Sequence, residues 1–284
     1  MSHIQRITDQ IIKNSDKWAM GLLAAGALVG AYSYKVERFK YEIKEISLQI
    51  KNLPSAFEGW RIVQFSDTHL GYFFGVEDFK PLVKMINNLQ PDILFFTGDL
   101  IDIRTKTPER YFSILQELKS GRGGKWAVLG NHDIHHKYRV TQLLEDSQFT
   151  VLNNDFGVVE AGHEQLYIAG IDDVVRGYPN LDRALEGLSE DDCIFLLAHE
   201  PDFAIFSSSY PISAQFSGHS HGGQVRLPYL GPLTKHNMSN KYSEGLYYVG
   251  ENKMPLYVNR GIGTTGLPLR LFCRPEITVF CLNS

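Results

Sequence analysis

The stretch Ser217-Gly218-His219-Ser220-His221-Gly222-Gly223-Gln224 follows a short apolar run, Ala214 to Phe216, and reads as the end of a strand running into a turn. Histidines two residues apart on extended chain project to the same side, so His219 and His221 can reach one metal site together. The glycines behind them let the backbone turn tightly and let a phosphate-sized group come close. An H-x-H pair alone is weak. Its weight comes from four clusters upstream, each lying where an apolar strand stops. Arg61-Ile-Val-Gln-Phe-Ser ends in Asp67-Thr68-His69, and Asp92-Ile-Leu-Phe-Phe-Thr in Gly98-Asp99-Leu100-Ile101-Asp102. Lys125-Trp-Ala-Val-Leu ends in Gly130-Asn131-His132-Asp133, and Ile194-Phe-Leu-Leu-Ala in His199. Turn and cap positions alone would account for Asp67, Asp99 and Asp133. They leave the histidines unexplained.

Between these clusters, strands and amphipathic helices alternate. Strands are expected at 61–66, 92–97 and 125–129, with helices at 79–89 and 111–118. Later strands are expected at 165–169, 194–198, 214–216, 246–249, 256–259 and 277–281, and an earlier one carries Ile46, Leu48 and Ile50 and ends before Pro54. The pattern predicts an α/β fold with adjacent parallel strands, in which two sheets pack face to face with helices outside. Ligands in such sheets bind beyond the carboxyl ends of the strands, so five strand ends converge on one rim.

The 284 residues are 43% hydrophobic and 21% charged, as in an ordinary globular chain, and the formal net charge of -4 gives no basic footprint for nucleic acid. Three cysteines, Cys193, Cys273 and Cys281, exclude a complete disulfide framework and a cysteine zinc site. Carboxylate, imidazole and amide-oxygen donors without thiolates suit Mn²⁺, Fe or Zn²⁺. Two such ions about 3.5–4 Å apart can activate water and clamp the oxygens of a phosphoryl displacement.

In this order, D-x-H, G-D-x-x-D, G-N-H-D, a lone histidine and G-H-x-H resemble the calcineurin-like metallophosphoesterases, over roughly Leu48 to Ile277. The resemblance implies a four-layer α-β-β-α sandwich of two mixed sheets and a phosphate-ester substrate. It implies two divalent metal ions, one held by Asp67, His69 and His221 and the other by Asn131, His199 and His219, with Asp99 bridging. His132 would stay free of metal as general acid or donor to the developing phosphorane charge, and Asp102 would orient its ring. Gly222-Gly223-Gln224, Gly170-Ile171-Asp172-Asp173 and Arg260 to Gly266 further resemble the membrane-associated YkuE/YaeI branch. That branch implies phosphodiesterase activity, and relatives in it cleave the pyrophosphate of a UDP-linked diacyl-glucosamine.

Trp18 to Tyr34 runs seventeen residues without a formal charge, about 25 Å of helix, with aromatics at both ends. Residues 1–40 are read as a tail and membrane anchor or signal segment, and residues 41–284 as one catalytic domain. An uncleaved anchor is favoured, with a signal-peptide core or an ordinary buried helix as alternatives. The resemblance departs here: the twin-arginine export signal of part of the branch is missing, so the side of the membrane stays open. Arg176 and Arg260 could contact a substrate phosphate or form structural ion pairs. Tyr72-Phe73-Phe74 could meet a lipid or pack in the core, and His236 receives no role. The expected function is a membrane-associated phosphoesterase cleaving phosphodiester or pyrophosphate bonds of a substrate that could be lipid-linked, with no nucleic acid expected and oligomeric state open. Alternatives are an idle membrane-tethered binding module, or a phosphatase or nuclease using the same site.

Overall fold

A computed structural model describes residues 15–284. Most of the predicted tail, with His3, Arg6 and Lys13, lies outside the described residues. In chain order the elements are α1 (Ser15–Lys35), β1 (Glu42–Gln49), β2 (Arg61–Phe65), α2 (Val76–Asn88), β3 (Ile93–Thr97), α3 (Phe112–Gln116), β4 (Lys125–Val128), α4 (Lys137–Asp146), β5 (Phe149–Val151), β6 (Asp155–Ala161), β7 (Glu164–Gly170), α5 (Leu181–Ala184), β8 (Ile194–Leu197), α6 (Ala204–Ser207), β9 (Ala214–Ser217), β10 (Arg226–Leu227), β11 (Gly231–Pro232), β12 (Gly245–Val249), β13 (Met254–Val258) and β14 (Glu276–Asn283).

Two mixed six-stranded sheets result, in the orders β1-β14-β2-β3-β4-β5 and β12-β13-β9-β8-β7-β6. Strands β2, β3 and β4 are mutually parallel, as are β7, β8, β9 and β13, so their carboxyl ends leave each sheet on one side. Both faces of the central strands are apolar because both are covered. Side chains alternate across the pleat: Phe95, Phe195, Leu197, Phe216 and Phe280 fill the space between the sheets. Leu94 and Phe96 face the layer of α2, α3 and α4, while Ile194 and Leu196 face that of α5 and α6. The four layers match the expectation.

Two stretches depart from it. The sequence reading left α4 and the edge strands β5 and β6 as loop. Val140, Leu143 and Leu144 do supply an apolar face for α4, but the helix has only ten residues. Strands β5 and β6 have mostly exposed or half-buried residues, which erases the alternation that marks inner strands.

Most of helix α1 stands clear of the sandwich, and only its last turns meet it. Leu22 and Leu23 are each 74% exposed, so it is not the buried core helix among the alternatives above. Cys193 and Cys273 are buried thiols, Cys281 is exposed, and none is paired. Burial pushes Cys193 up to about 12, despite a hydrogen bond with Ser213 that lowers it.

Phe216 touches Phe95, Phe195 and Phe280, with ring centroids 5.1, 5.5 and 5.1 Å away. Phe216→Ala is expected to lower unfolding free energy by about 3–5 kcal/mol in urea titrations. A loss below about 1 kcal/mol would show that the intersheet layer does not depend on this ring.

Candidate metal centre

The strand ends carry the chemistry on backbone that few side chains accept. Asp67, His69, Asp99, His219 and His221 all have positive φ, between 44° and 65°. Each such residue costs about 1–3 kcal/mol and persists only where its surroundings over-determine it. The surroundings here are glycines. A Cβ at Gly218 would overlap Ser66 Oγ and Asp67 Oδ2, and one at Gly98 would meet His199 Nδ1 and the Gly130 nitrogen. Close backbone approach is what brings the loops of two sheets together.

Their donors meet at one place. Asp99 Oδ2 lies 3.4 Å from His69 Nε2 and 3.4 Å from His199 Nε2. Asp67 Oδ1 is 3.3 Å from His221 Nε2, and His69 Nε2 is 3.0 Å from His221 Nε2. Donors about 2.0–2.2 Å from a shared ion stand roughly 2.8–3.6 Å apart at octahedral to tetrahedral angles, so these separations fit ions held between them. The triads Asp67–His69–His221 and Asp67–Asp99–His199 each offer three ligand atoms within 4.8 Å of one another.

Hydrogen bonds select which nitrogen of each ring is bare. His199 Nδ1 lies 2.7 Å from the Thr97 carbonyl oxygen and His219 Nε2 lies 2.7 Å from that of Asn237. A carbonyl only accepts, so those nitrogens carry the protons. The nitrogens left to face an ion are therefore His199 Nε2 and His219 Nδ1, as in metal-ligating histidines whose far N–H is held by an oxygen. His199 Nε2 and Asn131 Oδ1 are buried without a hydrogen-bond partner, the state of donors shaped for an ion. For His69 no such partner exists: its Nδ1 is buried and unbonded.

Charge follows the same plan. Burial pushes His69 and His219 down to about 3, with neighbouring imidazoles adding to the shift, and lowers His221 also. These rings are neutral at pH 7. Burial also raises Asp67 to about 7, with the Asp99 charge adding and His199 opposing. Burial works against ionised Asp99, yet the charge and hydrogen bond of His199 hold its carboxyl well below the usual range. Against its own burial, His199 is raised well above the usual imidazole range by Asp99; an ion between them would take the place of that proton.

Several expectations change at the level of individual side chains. Asp102 does not reach the His132 ring; its carboxylate accepts from Arg104 at 2.7 and 2.9 Å. His132 Nδ1 instead accepts the Ile103 N–H at 3.3 Å, while its own backbone N–H donates to Asp99 Oδ1 at 2.8 Å. The arginine two residues beyond Asp102 offers that carboxylate a charged, two-pronged partner. Arg260 is buried in a structural ion pair with Glu276 at 2.6 Å and Glu42 at 2.9 Å, so it is not a phosphate contact. Arg176 is exposed and touches His135 at 2.5 Å. Asp133 ties two site loops together, accepting from the Leu100, Ile101 and Gly130 N–H groups.

Three residues were missed. Gln64, a polar interruption in an apolar strand, donates to Thr97 Oγ1 and to the Ser217 carbonyl, each at 3.0 Å, and so bridges the sheets beneath the site. Glu200 follows His199 directly and joins His199 and His219 in a third possible ligand group, and His132 stands within the same reach of His69 and Asp99 in a fourth. His236 brings its ring to 5.8 Å from His219 and 6.0 Å from His221, with Nε2 buried and unbonded. Only the adjacency of Glu200 was legible; His236 comes from a loop with no motif.

A two-sheet sandwich with carboxylates, imidazoles and an amide gathered on one rim is the frame of a metal-dependent hydrolase. Residues 61–223 match the family described as calcineurin-like phosphoesterase, and the chain belongs to that family. It is 39% identical over 278 residues to the uncharacterized metallophosphoesterase YkuE of Bacillus subtilis, spanning 94% of this chain and 96% of that one. It is 33% identical to a transmembrane protein with metallophosphoesterase domain of Danio rerio, across 85% of this chain and 57% of that protein. It is 28% identical to the UDP-2,3-diacylglucosamine pyrophosphatase LpxG of Chlamydia trachomatis, across 89% and 92%.

Gly218→Ala is expected to leave the far-ultraviolet circular dichroism unchanged and to weaken Mn²⁺ binding on the order of 10- to 100-fold, the scale for disturbing groups that orient ligands. Calorimetric titration showing wild-type affinity would refute the role given to this close approach.

Proposed function

We propose that the chain is a membrane-anchored phosphoesterase with two metal ions, hydrolysing phosphodiester or pyrophosphate bonds of a lipid-linked substrate. The observation that carries the reading is Asp99 Oδ2 standing 3.4 Å from imidazoles contributed by opposite sheets, His69 and His199. In this reading Asp67, His69, Asp99 and His221 would hold one ion, and Asp99, Asn131, His199 and His219 the other. Bound there, the ions would supply Lewis acidity and a water activated near neutral pH, chemistry that side chains alone do not provide.

The protein's own contribution is positioning and proton transfer. With Nδ1 of His132 accepting the Ile103 N–H, its neutral ring carries the proton on Nε2. That N–H serves a leaving oxygen, or an oxygen of the phosphoryl group as its charge grows. Ile103, rather than Asp102, is then the orienting partner. His236 is the second imidazole outside both ligand sets, and its unbonded Nε2 would meet the phosphoryl group from the side of His219 and His221. Anchoring is supported by the exposed apolar α1 and by the membrane-named relative. A diester or pyrophosphate of a lipid is supported by the likeness to the diacylglucosamine pyrophosphatase.

Hydrolysis of bis-p-nitrophenyl phosphate, p-nitrophenyl phosphate and UDP-linked lipids by protein loaded with Mn²⁺, Zn²⁺ or Fe tests the reading. Chelation should abolish turnover and lower the melting temperature, and readdition should restore both. His132→Ala should lower kcat about 10²- to 10⁴-fold with metal content unchanged. Full turnover in that variant, or turnover indifferent to chelation, would contradict the mechanism. His236→Ala should raise KM and weaken inhibition by inorganic phosphate, again with unchanged metal content; loss of metal would instead make it a ligand.

A further inference from the structure

Helix α1 is seated on the catalytic domain rather than tethered to it, and its seat is built from the loops that carry the site. Ser33, in its last turn, is buried and donates its hydroxyl to the Arg270 carbonyl at 2.7 Å. Two residues beyond the helix, buried Glu37 accepts the Cys273 N–H at 3.1 Å. Arg38 donates to the Phe73 carbonyl at 3.2 Å, in the loop that follows His69. Arg270 itself is fully buried and donates to the Gly261 and Gly263 carbonyls, while the Gly263 N–H donates to the Asp67 carbonyl at 2.7 Å. Cys273 Sγ lies 3.2 Å from the His221 carbonyl oxygen. The base of α1 is thus joined on one side to the loop after His69 and on the other to the loop beneath Asp67 and His221.

The surface at this level is amphipathic. Tyr72 is 76% exposed and Phe272 61% exposed, although both lie within hydrogen-bonded loops. A groove of about 600 Å³ runs between α1 and the domain, lined by the apolar Leu28, Val29, Tyr32, Leu271 and Phe272 and by Arg274. Glu37, Glu42 and Arg260 also line it, but Glu37 is held by the Cys273 N–H and Glu42 by Arg260. Lys35 and Lys40 are exposed around the helix end. Aromatic rings and cations at the end of an apolar helix suit the headgroup region of an anionic bilayer, where rings are half wet and cations meet phosphate. The uncharged part of α1, Trp18 to Tyr34, spans about 25 Å, a little short of a hydrocarbon core of about 30 Å.

We infer that the mouth of the metal centre is held at the headgroup level of an anionic bilayer, with Tyr72 and Phe272 as interfacial contacts, so that a lipid's phosphate is cleaved while its chains stay in the membrane. This rests on the reading of α1 as an anchor.

Full-length protein carrying Cys281→Ser, with the remaining cysteines buried, is labelled with an environment-sensitive fluorophore at Tyr72→Cys, Phe272→Cys or Tyr248→Cys. Tyr248 shares a surface with Gln49 and Lys51, beyond the end of β1 and roughly 23 Å along that strand from Glu42. In phosphatidylglycerol-containing vesicles, labels at 72 and 272 are expected to shift to the blue and to be quenched by bromines placed about 5–10 Å below the headgroup boundary, unlike the label at 248. If the protein floats with vesicles but all three labels report water, α1 anchors the chain and the seated orientation is wrong. If it does not float, the anchor reading and this inference both fall.

Discussion

A single carboxylate links the halves of this molecule. Asp99 ends a strand of the first sheet, and its Oδ2 faces His69 from that sheet and His199 from the second at the same 3.4 Å distance. Its Oδ1 takes the backbone N–H of His132, which brings in a third strand end. Burying an ionised carboxylate is costly unless it is compensated, and the compensation here comes chiefly from the charge and hydrogen bond of His199. The strained backbone at Asp67, His69, Asp99, His219 and His221 follows from the need to gather donors around it.

The sandwich below supplies rigidity for that arrangement. Aromatic rings interlock between the sheets, and Gln64 crosses the gap just under the site, where an apolar side chain could not bond both Thr97 and Ser217. Close glycine contacts turn this rigidity into precision, since displacing one loop would move a donor on its neighbour. The same coupling extends outward to α1 through Arg270 and Glu37.

The layered fold was legible because inner strands are apolar on both faces and helices keep their own period, signals that survive in a single sequence. What escaped was local and marginal: ten residues of α4, and edge strands half open to solvent. The donors that the structure gathers were legible as residue types at strand ends. The partners of those donors were not. Whether Asp102 bonds His132 or Arg104 depends on a competition across a turn, and motif spacing does not express it. His236 arrives from a loop about fifteen residues beyond the H-x-H pair, carried over the site by backbone contacts such as Asn237 to His219.

Counting ions per chain tests the central claim most directly. Elemental analysis of protein reconstituted with Mn²⁺ should find two ions per chain in the wild type and no more than one, bound more weakly, in Asp99→Asn, whose amide keeps the shape but not the charge. Two ions held with undiminished affinity by that variant would contradict the account.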